Sequence, residues 1–206
     1  SGDNACILHY TQNNQGLKDG DLVLIDAGCE WQGYASDVTR TFPISGLFSP
    51  EQKQLYQLVL DAQSAAFEMI KPNNTIKQAN DAAIGVITQG LINLNILHGE
   101  LADNIERQTY RKFYMHGLSH WLGLDVHDVG DYKIDGQVRP LRPGMVLTVE
   151  PGIYIASDAD VESKWRGIGI RIEDNLLITQ SGHENLTLAA PKTISDIEAL
   201  MLKKRC

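Results

Sequence analysis

Apolar and polar positions recur along this chain with two different periods. From Ser49 to Pro72 the spacing is helical, with Leu55, Leu58, Val59, Ala62, Ala66, Met69 and Ile70 on one face. Ser49-Pro50-Glu51-Gln52 supplies a capping box with Pro at the first helical position, and Lys71-Pro72 marks the stop. A second helix is expected from Thr75, with Ile76, Ala79, Ala83, Ile84, Ile87 and Leu91 on its apolar face, ending near residues 93–95. Ser195-Asp196-Ile197-Glu198 opens a short helix near the C-terminus in the same way. The two long helices are read as core elements covering one sheet face, without chemistry of their own.

Elsewhere the pattern is that of strands, placed near residues 5–10, 22–27, 33–42, 113–116, 146–150, 167–173 and 175–179. Residues 128–139 and 156–166 are polar and read as surface loops, with Trp165 and Arg166 either rimming a site or standing at a solvated tip. Four carboxylates interrupt the apolar runs. Asp26 ends Leu22-Val23-Leu24-Ile25, Asp37 follows eleven residues later, Glu150 ends Val146-Leu147-Thr148-Val149, and Glu173 ends Ile170-Arg171-Ile172. Buried carboxylates need partners. Few Lys or Arg lie near them in sequence, so bound cations are favoured over ion pairs.

An internal repeat links two of these carboxylates. Leu17 to Gly28 aligns without gaps on Leu141 to Gly152: in each copy a Gly turn feeds a hydrophobic strand that closes on a carboxylate, with Gly two residues later. Asp26 and Glu150 then occupy equivalent positions. Either the sheet is duplicated and pseudo-symmetric, with ligands converging from both halves, or a strand signature simply recurs.

Half of the six histidines fall in the segment His116-Gly117-Leu118-Ser119-His120-Trp121-Leu122-Gly123-Leu124-Asp125-Val126-His127-Asp128. Histidine is the commonest metal ligand and acid/base group. His116 and His120 are four residues apart, as in a helical zinc site, but Gly117 and Gly123 disfavour a helix and no Glu follows the first His to act as its base. A strand-and-turn presentation is expected instead. Four carboxylates and one imidazole suit two divalent ions sharing a water, and hydrolysis is the chemistry such a pair serves.

These segments, together with Tyr34 to Thr41, Glu150-Pro151-Gly152 and Gly169 to Asp174, resemble the catalytic domain of aminopeptidase P, the Xaa-Pro aminopeptidase. The wider group is the pita-bread metallopeptidases, which includes prolidase and methionine aminopeptidase. The resemblance implies an α/β (α+β) pita-bread fold, a pseudo-two-fold duplicated curved antiparallel sheet covered by helices. It also implies a single catalytic domain over residues 1–206, truncated at its N-terminus and lacking the family's separate N-terminal domain.

By the same resemblance, Asp26, Asp37, His120, Glu150 and Glu173 are metal ligands. Asp26 chelates one ion, Asp37 and Glu173 bridge, and His120 and Glu150 serve the second ion. Glu150, His127 and His9 are catalytic: Glu150 exchanges a proton with the bridging water, and His127 and His9 face the scissile peptide and the developing oxyanion. His9, His116, His127 and Arg171 contact substrate, His116 and Arg171 on the proline side. All of these positions hold the family's residue, which argues against a non-catalytic peptide-binding relative.

The implied function is a dinuclear aminopeptidase that hydrolyses the N-terminal Xaa-Pro bond through a metal-bridging hydroxide. Manganese is the first expectation, with cobalt or zinc as alternatives. Prolidase, which demands a dipeptide, is the other peptidase to be separated. Partners are peptide substrates with proline second, and a homo-oligomer is expected of the full-length protein.

Composition agrees with this. At 206 residues the chain can bury one core, and 43% hydrophobic with 21% charged residues is ordinary for a globular domain. A net charge of -8 argues against nucleic acid or an anionic membrane as partner. Cys6, Cys29 and Cys206 lack metal-type spacing and are expected to be reduced thiols of a cytoplasmic protein. No apolar run reaches the roughly 20 residues of a membrane span.

Overall fold

The computed structural model describes residues 1–203. The expected capping box at Ser49 forms, and a second one is found at Thr75. In α1 (Pro50–Met69) Ser49 Oγ accepts from Gln52 N, and in α2 (Ile76–Asn93) Thr75 Oγ1 accepts from Gln78 N, both at 3.2 Å. The two helices pack along each other through their apolar faces. A Cβ at Gly90 would stand 2.2 Å from Leu58 Cδ1, so the approach requires glycine there. Met69 departs from the expected face and is 37% exposed, because it closes the last turn of α1 just before the chain leaves the helix. A short α3 (Leu101–Glu106), not expected from the sequence, follows α2.

The sheets are built from two long antiparallel hairpins. In the first, β1 (Leu22–Ala27) pairs with β4 (Val38–Pro43), and the same register continues beyond a break into β2 (Glu30–Trp31) and β3 (Tyr34–Ala35): Ala27 faces Val38 and Glu30 faces Ala35. In the second, β7 (Val146–Val149) pairs with β10 (Asp174–Ile178), and the register continues into β8 (Gly152–Ile155) and β9 (Ile168–Arg171): Val149 faces Asp174 and Gly152 faces Arg171. A small hairpin of β5 (Lys133–Ile134) and β6 (Gln137–Val138) precedes β7, and β11 (His183–Asn185) adds to β10 before α4 (Ile194–Lys203).

The repeat seen in sequence is therefore a repeat of hairpins, each interrupted just beyond its first carboxylate. The glycines of the repeat have steric reasons. A Cβ at Gly28 would lie 1.8 Å from Ser36 O, and one at Gly152 would lie 2.5 Å from Tyr154 Oη and 2.9 Å from Ile170 O.

The two halves differ in cover. α1 packs on β7, β8 and β9, and these strands are almost wholly buried. β1 is packed by the short 3-10 turn Gly2–Cys6 rather than by a long helix, and Ile25 is 47% exposed. The expectation that both copies form buried strands holds for the second half only.

Three other expectations are corrected. Residues 5–10 are not a strand; Gly2–Cys6 is a 3-10 turn packed on β9, tied down where Asp3 accepts from Ser157 N and Oγ at 2.7 and 2.9 Å. Residues 113–116 are irregular, and it is 118–122 that run beside β7, through Leu122 N to Val146 O, Thr148 N to His120 O and Glu150 N to Leu118 O at 2.9–3.1 Å. Trp165 neither rims a site nor caps a solvated loop: it is 3% exposed in the core, and Arg166 turns its guanidinium back to Val161 O. Cys6 and Cys29 are free thiols, while Cys206 lies outside the described residues. Among the described residues no helix is long and apolar enough to cross a membrane.

Candidate metal centre

The register places the chemistry. Asp26 stands across from Thr39 on the first hairpin, and Glu150 across from Glu173 on the second. If Asp26 corresponds to Glu150, then Thr39 corresponds to Glu173 and Asp37 to Arg171. Residues two apart on a strand share a face. Five of these side chains, Asp26, Asp37, Glu150, Arg171 and Glu173, accordingly meet where the hairpins converge, in a cavity of about 280 Å³ that His9, His116, His120 and His127 complete, while Thr39 stands behind them against Glu173 and Arg171. Every site residue expected from sequence lines this one cavity.

At its centre one donor atom each from Asp37, His120 and Glu173 lie within 4.8 Å of one another. His120 Nε2 is 3.4 Å from Asp37 Oδ2 and 3.5 Å from Glu150 Oε1. Its other nitrogen, Nδ1, lies 3.0 Å from Trp121 O, which holds a proton on Nδ1 and turns Nε2 toward the carboxylates. His120 N donates to Thr148 Oγ1, and the same hydroxyl reaches Glu150 Oε1 at 3.3 Å. Asp26 is set differently from the other three carboxylates: Arg171 Nη2 holds its Oδ2 at 2.7 Å. The sequence, which showed few cations near the carboxylates, did not reveal this pair, because Arg171 arrives 145 residues later.

The charges are in tension. Burial and the neighbouring Glu150 and Asp37 push the Glu173 carboxyl up to about 9, although Thr39 Oγ1 donates to its Oε2 at 2.7 Å. Burial pushes Glu150 up to about 7 against the pull of His120 and Arg171. Burial and a hydrogen bond with Asp37 raise Asp26. Asp37 goes down, since hydrogen bonds with His120 and Asp26 outweigh its burial. His120 goes up, since Asp37 and Trp121 O outweigh its desolvation. Glu173 Oε1, fully buried, has no hydrogen-bond partner. A buried unpaired carboxylate oxygen beside like charges, with an imidazole nitrogen turned to the same point, is what a cation site requires.

One wall is held by a directional chain of hydrogen bonds. Arg171 donates from Nη1 to Tyr154 Oη at 3.1 Å and from Nε to Thr39 Oγ1 at 3.2 Å. Burial lowers His116 to about 4, so it is neutral. Its Nδ1 faces Gly117 O at 2.8 Å and must carry the proton, which leaves Nε2 to accept from Tyr154 at 2.8 Å. His116 and Arg171 thus have their polar atoms engaged within the protein and offer the cavity a ring face and a fixed charge. His127 meets the His120 ring edge-on at 4.3 Å, and His9, held at φ 54°, stands at the mouth. Thr39, Thr148 and Tyr154 were missed. Thr39 lay inside the quoted stretch Tyr34 to Thr41, whereas Thr148 and Tyr154 carried no sequence signal beyond strand propensity.

Residues 1–180 match the model of metallopeptidase family M24. The chain is 62% identical over 200 residues to the Xaa-Pro aminopeptidase of Haemophilus influenzae and 52% identical over 205 residues to that of Escherichia coli, covering 97% and 100% of this chain but 46% of each of those proteins. It superposes with a TM-score of 0.97 and 56% identity on aminopeptidase PepP of Pseudomonas aeruginosa, and with 0.96 and 52% on a zinc-substituted aminopeptidase P of E. coli in complex with product. These cover 98% and 100% of this chain and 46% of each of those chains. The chain spans about half the length of the relatives it matches.

Proposed function

The chain belongs to metallopeptidase family M24, and on that premise we propose that it is a metal-dependent aminopeptidase that hydrolyses the bond between an N-terminal residue and a following proline. The observation that carries this reading is the meeting of Asp26, Asp37, His120, Glu150, Glu173, His9, His116, His127 and Arg171 in one cavity. Asp26, Asp37, His120, Glu150 and Glu173 would hold two divalent ions, with Asp37 and Glu173 serving both. The unpaired Glu173 Oε1 and the fixed tautomer of His120 fit that assignment. Four hard carboxylates to one imidazole make manganese our first choice, with cobalt and zinc as alternatives. When bound, such a pair polarises a carbonyl and makes a water molecule acidic enough to act as nucleophile near neutral pH.

The protein's own groups do the rest. Glu150, facing the cavity with Thr148 donating to its Oε1, would take a proton from the attacking water and return it to the leaving nitrogen. His127 and His9 face the cavity from the loop and turn that frame it, placed to donate to the carbonyl oxygen as it gains charge. Neutral His116, braced by Tyr154 and Arg171, gives a rigid ring face for the proline side.

The test is release of the first residue from Xaa-Pro-Xaa, Xaa-Pro, Xaa-Ala-Xaa and N-acetylated Xaa-Pro-Xaa peptides with manganese present. Cleavage of Xaa-Pro-Xaa in preference to the other three is expected. Equal turnover of the acetylated or alanine peptide would overturn the assignment, and cleavage of the dipeptide alone would make it a prolidase.

A further inference from the structure

Where the second hairpin is interrupted, its ladder lacks one hydrogen bond for a covalent reason. Residues 151 and 172 face each other: Ile172 N donates to Pro151 O at 3.3 Å. In an antiparallel pair of this kind the reciprocal bond runs from residue 151 N to Ile172 O. Residue 151 is proline and has no N–H. Ile172 O, the peptide oxygen preceding Glu173, is thereby left without its ladder donor.

A side chain from outside the sheet supplies it. Gln63 on α1 is 1% exposed, and its Nε2 donates to Ile172 O at 3.2 Å and to Val149 O at 3.1 Å. Val149 O precedes Glu150 as Ile172 O precedes Glu173, so one amide ties together the two peptides from which both glutamates extend. The direction of the amide is set from its far side: Lys192 Nζ donates to Gln63 Oε1 at 2.7 Å and to Asp174 Oδ2 at 2.5 Å. Asp174 is fully buried, and its Oδ1 receives Arg40 Nη2 at 2.7 Å. Arg40 Nη1 in turn donates to Glu173 O at 2.6 Å, so the peptides on both sides of Glu173 are anchored.

We propose that Gln63 is a positioning residue of the metal centre, bridging the backbone beneath Glu150 and Glu173 in place of the bond that Pro151 cannot make, with Lys192 and Asp174 orienting its amide. It touches no reacting atom. Its effect is that the spacing of the two carboxylates is set before any ion arrives. This rests on the five-ligand reading given above.

The test is the affinity for Mn(II) alone, with free ion counted by its EPR signal, alongside the melting temperature of the metal-free protein. Gln63→Met removes both donors at similar volume. Gln63→Glu keeps the shape but turns a carboxylate toward two carbonyl oxygens. Both should weaken Mn(II) binding by on the order of 10- to 100-fold, the usual loss when a group supporting a ligand is removed. Leu91→Ala, in the buried face of α2, should lower melting without changing the affinity.

Pro151→Ala restores an N–H opposite Ile172 O, so in that background the Gln63→Met penalty should shrink to a few-fold. Should Gln63→Met fold poorly, Lys192→Met, which leaves Gln63 in place but unoriented, should weaken binding several-fold. Wild-type affinity in the Gln63 and Lys192 variants, an equal loss in Leu91→Ala, or a penalty undiminished by Pro151→Ala would overturn the proposal. A wild-type protein that binds no Mn(II) would instead reject the metal centre itself.

Discussion

Stripping divalent ions from this protein should make its stability fall as the pH rises above neutral, the reverse of the usual behaviour of a buried acid held in an ion pair. Glu173 is 1% exposed and its carboxyl is pushed from an ordinary 4.5 to about 9. A carboxyl raised on folding contributes stability that is fully present below its unfolded value and is lost as pH rises through its folded value. Between pH 7 and 8.5 the unfolded chain has already ionised Glu173, while the folded chain keeps it largely protonated. The slope is therefore about 1.4 kcal/mol per pH unit, or about 2 kcal/mol across the window. For a chain of this size that is roughly 4–8 °C in Tm.

Other groups do not mask the effect. His120, also raised, adds to it in the same direction. His116, lowered to about 4, contributes stability above its unfolded value that is lost only as pH falls below it, and Asp174, also lowered, acts at more acid pH still. Cys6, pushed up to about 12, matters only above the window. The assay is thermal or urea unfolding in EDTA at pH 7.0, 7.5, 8.0 and 8.5, repeated with manganese and with Glu173→Gln. The metal-free wild type should lose Tm steadily, Glu173→Gln should lose markedly less because only the smaller His120 contribution remains, and manganese should abolish or reverse the slope, since ion binding requires the deprotonated carboxylates. A metal-free Tm that is flat or rises with pH would refute the reasoning.

His127→Ala should lower kcat by on the order of 100-fold with metal content intact, whereas His120→Ala should lose metal first; a His127 variant that sheds metal as readily would end the division of roles. Gly28→Ala puts a Cβ 1.8 Å from Ser36 O, so it should cost upwards of about 3 kcal/mol in urea unfolding and loosen the hairpin beside Asp37, while Gly117→Ala, with nothing within 4 Å, should be nearly silent. Asp174→Asn leaves Arg40 and Lys192 without their buried counter-charge and should cost about 3–5 kcal/mol, and a loss below 1 kcal/mol would show the cluster to be slack.

What was legible in the chain was what is local. Ser49 and Thr75 announce their helices because a cap acts within three residues, and Asp26 and Glu150 stand out because a charge ending an apolar strand is conspicuous without any partner. What depends on packing was not. The short run Cys6-Ile7-Leu8 looks like a strand, but the backbone there is committed to a turn against β9. Trp165, set among polar residues, is carried into the core by the fold. Gln63 reads as one more helical polar residue until the proline opposite Ile172 is seen across the sheet, and the Asp26–Arg171 and Thr39–Glu173 contacts join positions well over a hundred residues apart.

That separation also has a time attached to it. Thr39 and Glu173 are 134 residues apart, so during synthesis at roughly 5–20 residues per second the first hairpin leaves the ribosome roughly 7–27 s before the strand that completes it. Through almost all of that interval Asp26 has no Arg171 to meet, and β1 offers an open edge and the bare side chain of Ile25 to any neighbouring chain. Of the two hairpins, the one made first is the one that cannot finish itself, and a slower ribosome or a crowded one would lengthen the period in which nascent copies of this sequence pair with one another instead of with their own second hairpin.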